Sequence, residues 1–167
     1  MLSFLRGASL IPFVLLASAC VSQSTYDAKV AENEQLMAEN ARLANAIRYT
    51  VNSDLLFTPG SWKMTAAGQE VIAKVASQLA PTQRRKVMVN GYTDNQPIGQ
   101  SLMQAGVTSN EILSQKRAEA VRDYMISRGV NPDFVAAKGW GDQHPVAPNN
   151  TAEGRTQNRR VELTLVP

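Results

Sequence analysis

Two oppositely charged residues, Asp94 and Arg117, have types and positions that suit a binding site for a small charged ligand. Val87 and Val89, two residues apart, predict a strand over Lys86–Tyr92, with Asp94 in the loop that follows. A carboxylate can hold an ammonium group, and a guanidinium can hold a carboxylate through two parallel hydrogen bonds. The chemistry open to this pair is therefore the recognition of ions.

Arg117 belongs to a helix predicted from about residue 110 to Gly129. Thr108 and Glu111 have the spacing of a capping box, and Pro132 lies just beyond Gly129. The buried stripe of this helix is predicted from residues at helical spacing, namely Leu113, Ala120, Val121 and Tyr124. Arg117 lies on or beside that stripe near the helix N-terminus, where a partly buried cation is poorly placed and needs an anionic partner.

The spacing allows two interpretations of this pair. Asp94 and Arg117 can bind each other as a half-buried structural ion pair, which by itself says little about stability or function. Alternatively, the two groups stay apart and hold a zwitterion, with an ammonium on Asp94 and a carboxylate on Arg117. The residues alone leave both interpretations open.

The remaining pattern predicts one domain that positions these groups. The chain has 167 residues, of which 44% are hydrophobic and 19% charged, enough for one modest domain with appendages. Predicted strands are Leu55–Phe57, Lys86–Tyr92, Phe134–Lys138 and a last one through Val161, Leu163 and Leu165, and predicted helices run from Thr65 to Pro81 and over Glu111–Arg128. Strands that alternate with helices predict an α/β fold, an α+β sandwich of βαβαβ type, with a mixed sheet and its helices packed on one face. We assign this domain to residues 50–167.

The N-terminus has the pattern of a signal peptide over residues 1–19. Its apolar run is too short to span a bilayer as a stable helix. The ending at Cys20, the only cysteine, resembles a bacterial lipobox, in which the cysteine becomes a lipid-bearing N-terminus. In that sorting system an aspartate after the cysteine tends to retain the protein in the inner membrane, so Val21 favours the outer membrane. The alternative is an ordinary secretory signal followed by a free cysteine.

Residues 20–49 are predicted to form a tether followed by a helix. Residues 25–48 contain no glycine or proline. A heptad pattern places Tyr26, Asn33, Asn40 and Ile47 seven residues apart, with Leu36 and Leu43 three residues after the two asparagines. Asparagine at such positions sets register and oligomer state at a cost in stability. The pattern predicts a homo-oligomer through residues 25–48, with a lone solvated helix or a flexible spacer as the alternative.

Five segments, in order, resemble the OmpA-like peptidoglycan-binding domain over about residues 52–166. They are Gly91–Asp94, Asn110–Ala118, Gly129–Val130, Gly139–Ala147 and Gly154–Glu162. The stretch after Asp94 is closer to the MotB-like members of the family. The resemblance implies non-covalent binding of the peptidoglycan stem peptide through diaminopimelate, whose outer end carries an ammonium and a carboxylate on one carbon. It therefore favours the zwitterion interpretation.

The resemblance also implies which residues hold the ligand. The aspartate and arginine of the family correspond by motif to Asp94 and Arg117, Thr93 and Asn110 match positions that line the same pocket, and Arg160 matches a residue at its edge. The implied function is a lipid-anchored protein of the outer membrane that faces the periplasm and tethers that membrane to the cell wall. The alternative is a scaffold or assembly subunit of an envelope complex, secretion- or motor-associated, that acts through its N-terminal helix.

An enzyme is the rival class, and the residue types argue against it. His144 is the only histidine and Cys20 is predicted to carry lipid, so a Ser-His-Asp or Cys-His arrangement would depend on His144. The sequence contains no nucleophile elbow, paired metal-binding histidines or phosphate-binding glycine loop. We expect no catalytic residue, no metal and no cofactor, and we place His144 in a surface loop.

Nucleic acid is not an expected partner. The basic runs, Arg84–Lys86 and Arg155 with Arg159 and Arg160, have no interleaved aromatic residues. The net charge of +3 is small for a nucleic-acid binder, and an exported chain has little access to nucleic acid.

Overall fold

The computed structural model describes residues 22–46, 48–80 and 85–166. In chain order the helices are α1 (Gln23–Ala46), α2 (Ser53–Leu56), α3 (Ala66–Leu79), α4 (Gln100–Gln104), α5 (Asn110–Ser127) and α6 (Ala152–Asn158). The strands are β1 (Arg48–Asn52), β2 (Lys86–Tyr92), β3 (Val135–Gly139) and β4 (Arg160–Val166). A short 3-10 turn, Pro132–Phe134, leads into β3.

These four strands form one mixed sheet in the order β1-β4-β2-β3. Strand β4 runs antiparallel to both of its neighbours, whereas β2 and β3 are parallel. A parallel pair needs a crossover connection, and α5 lies in the connection between β2 and β3. The mixed sheet with its helices confirms the predicted fold class.

The main core lies between the sheet and helices α3 and α5. Its buried apolar residues include Ile72, Ala76, Val87, Val89, Val121, Met125, Val161 and Leu163. Two glycines bring α5 close to the strand ends, because a Cβ at Gly91 would lie 2.3 Å from the backbone oxygen of Ser114 and one at Gly139 would lie 2.2 Å from the backbone nitrogen of Gln115. Backbone contact this close fixes where α5, and with it Arg117, lies against β2 and β3.

The first strand lies earlier than the sequence predicts. The predicted strand at Leu55–Phe57 is wrong: β1 ends at Asn52, and the next four residues form the helical turn α2. Asn52 caps this turn, because its side-chain oxygen accepts a hydrogen bond from the backbone nitrogen of Asp54. Leu56 and Phe57 are still fully buried, so the apolar run packs into the core without forming a strand.

The ends of the two long domain helices largely follow the sequence signals. Thr65 caps α3 as predicted, with its hydroxyl accepting from the backbone nitrogen three residues on. Ser109 rather than Thr108 caps α5 in the same way. Gly129 follows α5 with a φ of +95°, which a glycine adopts without strain. The predicted stop at Pro81 lies outside the described residues.

Helix α1 matches the helix predicted from residue 25. The chain divides into two compact units between Leu36 and Met37, so the division falls within this helix. In the described part of the chain no helix has both the length and the apolar character needed to cross a membrane. The predicted signal segment, Cys20 and the heptad position Ile47 lie outside the described residues.

Candidate functional site

Arg117 lies on the buried side of α5 with most of its guanidinium uncommitted. The residue is 7% exposed, its Nε donates to the backbone oxygen of Ser61 at 3.1 Å, and its guanidinium carbon lies 5.3 Å from the centroid of the Phe57 ring. Among the described residues, neither terminal nitrogen donates a hydrogen bond. A buried cation with unused donors is suited to binding an anion.

A different arginine holds Asp94. The Oδ2 atom of Asp94 accepts from Nη1 of Arg159 at 2.8 Å, and its Oδ1 atom accepts from the backbone nitrogen of Gln96 at 3.1 Å. Arg159 also donates through Nε and Nη2 to both carboxylate oxygens of Asp54, at 3.0 and 2.7 Å. Arg159 therefore holds Asp54 in bidentate geometry and bridges it to Asp94. We call these three residues the Asp54–Arg159–Asp94 triad.

The structure separates the two interpretations of Asp94 and Arg117. Within the described residues the ion pair of Asp94 is with Arg159, and none joins Asp94 to Arg117. The two groups thus stay apart, as the ligand-binding interpretation requires. They differ from that expectation in one respect, because one oxygen of Asp94 already accepts a hydrogen bond from Arg159.

Thr93 and Asn110 lie beside Asp94. The backbone nitrogen of Thr93 donates to the backbone oxygen of Gly141 at 2.8 Å, and in the described part of the chain its buried hydroxyl has no partner. Asn110 is the first residue of α5, and its Nδ2 donates to the backbone oxygen of Gln96 at 3.0 Å. Since Gln96 also contacts Asp94, the fold brings these predicted residues together at the start of α5.

Arg160 lies in a different cluster, which corrects its expected place at the pocket edge. Its Nε donates to Oε1 of Glu162 at 2.8 Å, its two terminal nitrogens donate to backbone oxygens at 3.3 and 3.2 Å, and its guanidinium carbon lies 3.8 Å from the centroid of the Tyr92 ring. Neighbouring residues at a strand point to opposite faces of the sheet. Arg159 is accordingly the member of the pair that reaches Asp94.

A pocket of about 420 Å³ lies against Arg117 and the triad. This is within the range of about 300–1,000 Å³ for small-molecule sites. Its wall is formed by Ser53, Asp54, Phe57, Thr58, Pro59, Gly60, Arg117 and Arg159. Asp94 is not part of the wall and is connected to it through Arg159. The wall therefore presents both signs of charge.

The charges of the pocket are balanced but separated. Burial lowers the pKa of Arg117, and the charge of Asp54 opposes this effect. Hydrogen bonding to Asp54 raises the pKa of Arg159, and Asp94 adds to the rise. Guanidinium groups remain protonated at neutral pH. The triad then carries one net negative charge and Arg117 one positive charge, a distribution that complements a zwitterion.

Sequence reasoning missed two residues of this site, Asp54 and Arg159. The signal for Asp54 was its place after Asn52, since an asparagine followed by Ser-Asp is a helix start, and a helix start puts an acidic side chain in the first turn. The signal for Arg159 was the alternation of two adjacent arginines at a strand end. His144 is exposed in the loop after β3, as expected. In the described residues no group of three His, Cys, Asp or Glu could hold a metal ion.

The sequence matches one family model, described as the OmpA family, over residues 56–159. The chain belongs to the OmpA family. The matched range contains Asp94, Arg117 and Arg159, three of the four charged residues of the site. This membership confirms the family resemblance that the five segments indicate.

Relatives of the chain are envelope proteins by name. It is 36% identical over 125 residues to the peptidoglycan-binding protein ArfA of Mycobacterium bovis, which covers 75% of this chain and 36% of ArfA. It is 35% identical over 126 residues to the probable lipoprotein YiaD of Escherichia coli, which covers 75% of this chain and 54% of YiaD. The chain thus spans between about a third and about half of these relatives. Neither is named as an enzyme, in agreement with the expectation for this chain.

Solved structures show the same fold. The cell wall anchor of the T6SS from Pseudomonas aeruginosa superposes with a TM-score of 0.64 at 35% identity, covering 71% of this chain and 79% of that one. The periplasmic domain of MotB from Helicobacter pylori superposes with a TM-score of 0.63 at 29% identity, covering 71% and 74%. The domain from β1 to β4 therefore has the fold of these anchoring domains.

Proposed function

We propose that this protein binds peptidoglycan non-covalently through the diaminopimelate of the stem peptide. Arg117 holds the carboxylate at the outer end of the diaminopimelate, and the triad holds the ammonium on the same carbon. Thr93 and Asn110 support the side of the site at Asp94. The kinship with ArfA, whose name states peptidoglycan binding, supports this choice of polymer.

One observation carries the proposal: a buried guanidinium with unused donors lies apart from a group of net negative charge, across one pocket. A plain anion would satisfy Arg117 and be repelled by the triad, while a plain cation would do the reverse. A ligand with both charges on one carbon satisfies both. The pocket therefore favours a zwitterionic end group over a singly charged one.

Binding to intact sacculi tests this function. Full-length protein in detergent should sediment with purified sacculi, and free diaminopimelate should release it. Added salt should also weaken retention, because the contacts are charged and partly exposed. Retention that free diaminopimelate does not reduce would rule out the proposed ligand.

The tethering role rests on the lipid anchor as well as on the pocket. We infer that Cys20 is the lipidated mature N-terminus and that the protein joins the outer membrane to the wall from the periplasmic side; the similarity to the probable lipoprotein YiaD supports this. Labelling with a palmitate analogue, followed by membrane fractionation, is the measurement. If Cys20→Ser is as labelled and as membrane-bound as the parent, the anchor is elsewhere.

A second candidate function is favoured by the surface of α1. Large apolar residues are exposed along it, with Tyr26 at 61% and Met37 at 65%. The kinship with MotB and with a T6SS anchor fits a subunit of a larger envelope assembly. In such a protein, changing heptad positions would remove a protein partner, or a second copy of the chain, while sacculus binding survives. Sedimentation of the parent and of an Asn33→Ile, Asn40→Ile variant tests self-association, which should tighten in the variant.

A further inference from the structure

Ser53 places a buried hydroxyl group at the pocket wall. Ser53 is the first residue of α2, is 1% exposed and lines the pocket together with Arg117 and Arg159. Its backbone is fully used, since its nitrogen donates to the oxygen of Arg159 and its oxygen accepts from the nitrogen of Phe57, both at 2.9 Å. Its Oγ, in contrast, has no hydrogen-bond partner within the described residues.

A buried hydroxyl without a partner is unfavourable, so its retention calls for an explanation. Two such hydroxyls occur in the described part of the chain, on Ser53 and Thr93. Thr93 adjoins Asp94, a residue of the proposed site, and Ser53 adjoins Asp54. Neither hydroxyl is needed by the fold's own hydrogen bonds, and both lie next to an aspartate of the triad. This placement points to a partner that enters from outside the chain.

We propose that the Ser53 hydroxyl donates a hydrogen bond to the ligand carboxylate that Arg117 binds, and so helps select diaminopimelate over lysine in the stem peptide. The inference rests on the proposed function. A carboxylate accepts about four hydrogen bonds, and a bidentate guanidinium satisfies only two of them. The ammonium of the ligand has the oxygens of the triad, so the group that lacks partners is the carboxylate. A neutral donor beside Arg117 supplies one.

The test compares Ser53→Ala with the parent on two peptides. One is a stem tripeptide that contains diaminopimelate, and the other contains lysine, which keeps the ammonium but lacks the carboxylate. Ser53→Ala should weaken binding of the first peptide about tenfold and leave binding of the second within about twofold. The melting temperature should stay the same or rise, because the substitution removes an unpartnered polar group. Thr58→Ala, an exposed hydroxyl of the same wall, is the matched control and should change neither affinity.

Each other outcome is informative. An unchanged affinity for the diaminopimelate peptide overturns the inference, and so does an equal loss for both peptides, which would place the hydroxyl elsewhere on the ligand. A lower melting temperature would show that Ser53 has a partner inside the protein and a structural role. A parent protein that binds neither peptide removes the proposed function itself, whereas a parent that binds with Ser53→Ala unaffected removes only the role of Ser53.

Discussion

Two buried arginines of this domain, Arg117 and Arg160, differ in how completely the protein satisfies them. Arg160 is 5% exposed, and its guanidinium donates to Glu162 and to two backbone oxygens while stacking on Tyr92. Arg117 is 7% exposed and donates from Nε only. Equal burial therefore does not imply equal function: a charge whose donors are all used stabilises a fold, and one with donors left over can bind a ligand.

The largest effect is expected from breaking the closed cluster. Arg160→Ala leaves Glu162 buried without its principal cation, which should cost about 3–5 kcal/mol of unfolding free energy in urea denaturation. Arg122→Ala, an arginine paired with its exposed neighbour Asp123, should stay within about 0.5 kcal/mol of the parent. A stable Arg160→Ala protein that no longer binds sacculi would return Arg160 to the pocket, where the family resemblance places it.

Arg117→Ala should show the opposite profile. It removes charge-assisted contacts to the ligand worth about 1.5–3 kcal/mol, so the affinity for sacculi should fall at least about tenfold. Its unfolding free energy should stay close to the parent, because the lost protein contact is a single hydrogen bond to Ser61. A variant that melts far below the parent, or that still sediments fully with sacculi, would contradict the assignment of Arg117 to the ligand.

Asp94→Asn should fall between these two cases. The substitution weakens the contact with Arg159, but Arg159 keeps both oxygens of Asp54. We expect a loss of about 1 kcal/mol of stability, together with weaker sacculus binding. Denaturation and sedimentation of the same preparation measure both quantities. Loss of stability without any loss of binding would make the triad purely structural.

The smallest expected effect concerns Tyr92, which stacks on Arg160. Burial, and then the charge of Glu162, raise the pKa of Tyr92 above its usual value of 10.0. The folded state thus favours the neutral phenol, and this contribution to stability is present below pH 10.0 and is lost as the pH rises through the folded pKa. Above that pH the parent should lose unfolding free energy faster than Tyr92→Phe, with the exposed Tyr49→Phe as control. Parallel pH profiles of parent and Tyr92→Phe would show that the cluster does not influence the phenol.

The central part of the fold could be predicted because its patterns are local and strong. Strand β2 has the predicted bounds, and α5 differs by one residue at each end. The first strand was misplaced because apolar Leu55–Phe57 fits a buried turn as well as a strand, and the deciding cap lies outside that run, at Asn52. Helix α6 was missed because its start signal is Thr151 alone, whose hydroxyl caps the helix, with no apolar stripe after it.

The site could be predicted in its parts but not in its pairing. Periodicity and capping indicate that Arg117 is buried near a helix start, and strand pattern places Asp94 after β2. The partner of Asp94 depends on which strands are neighbours, since β4, which brings Arg159, pairs with β2 across a long sequence separation. Asp54 enters for the same reason, because β1 pairs with β4 at Asn52 and Arg160. Sheet order is the missing information, and no local pattern contains it.

Strand β1 has a mechanical consequence, because it joins the N-terminal part of the chain directly to the pocket wall. It ends at Asn52, and Ser53 and Asp54 follow without a loop. In a protein anchored at one end and bound to the wall polymer, tension would enter at Arg48 and leave at Asp54, along the strand axis. The five residue pairs between β1 and β4 would then resist in shear, all together. Force spectroscopy with one handle at residue 48 and a tethered ligand should register ligand release before strand detachment, so that the bound peptide, and not the fold, sets the load the anchor sustains.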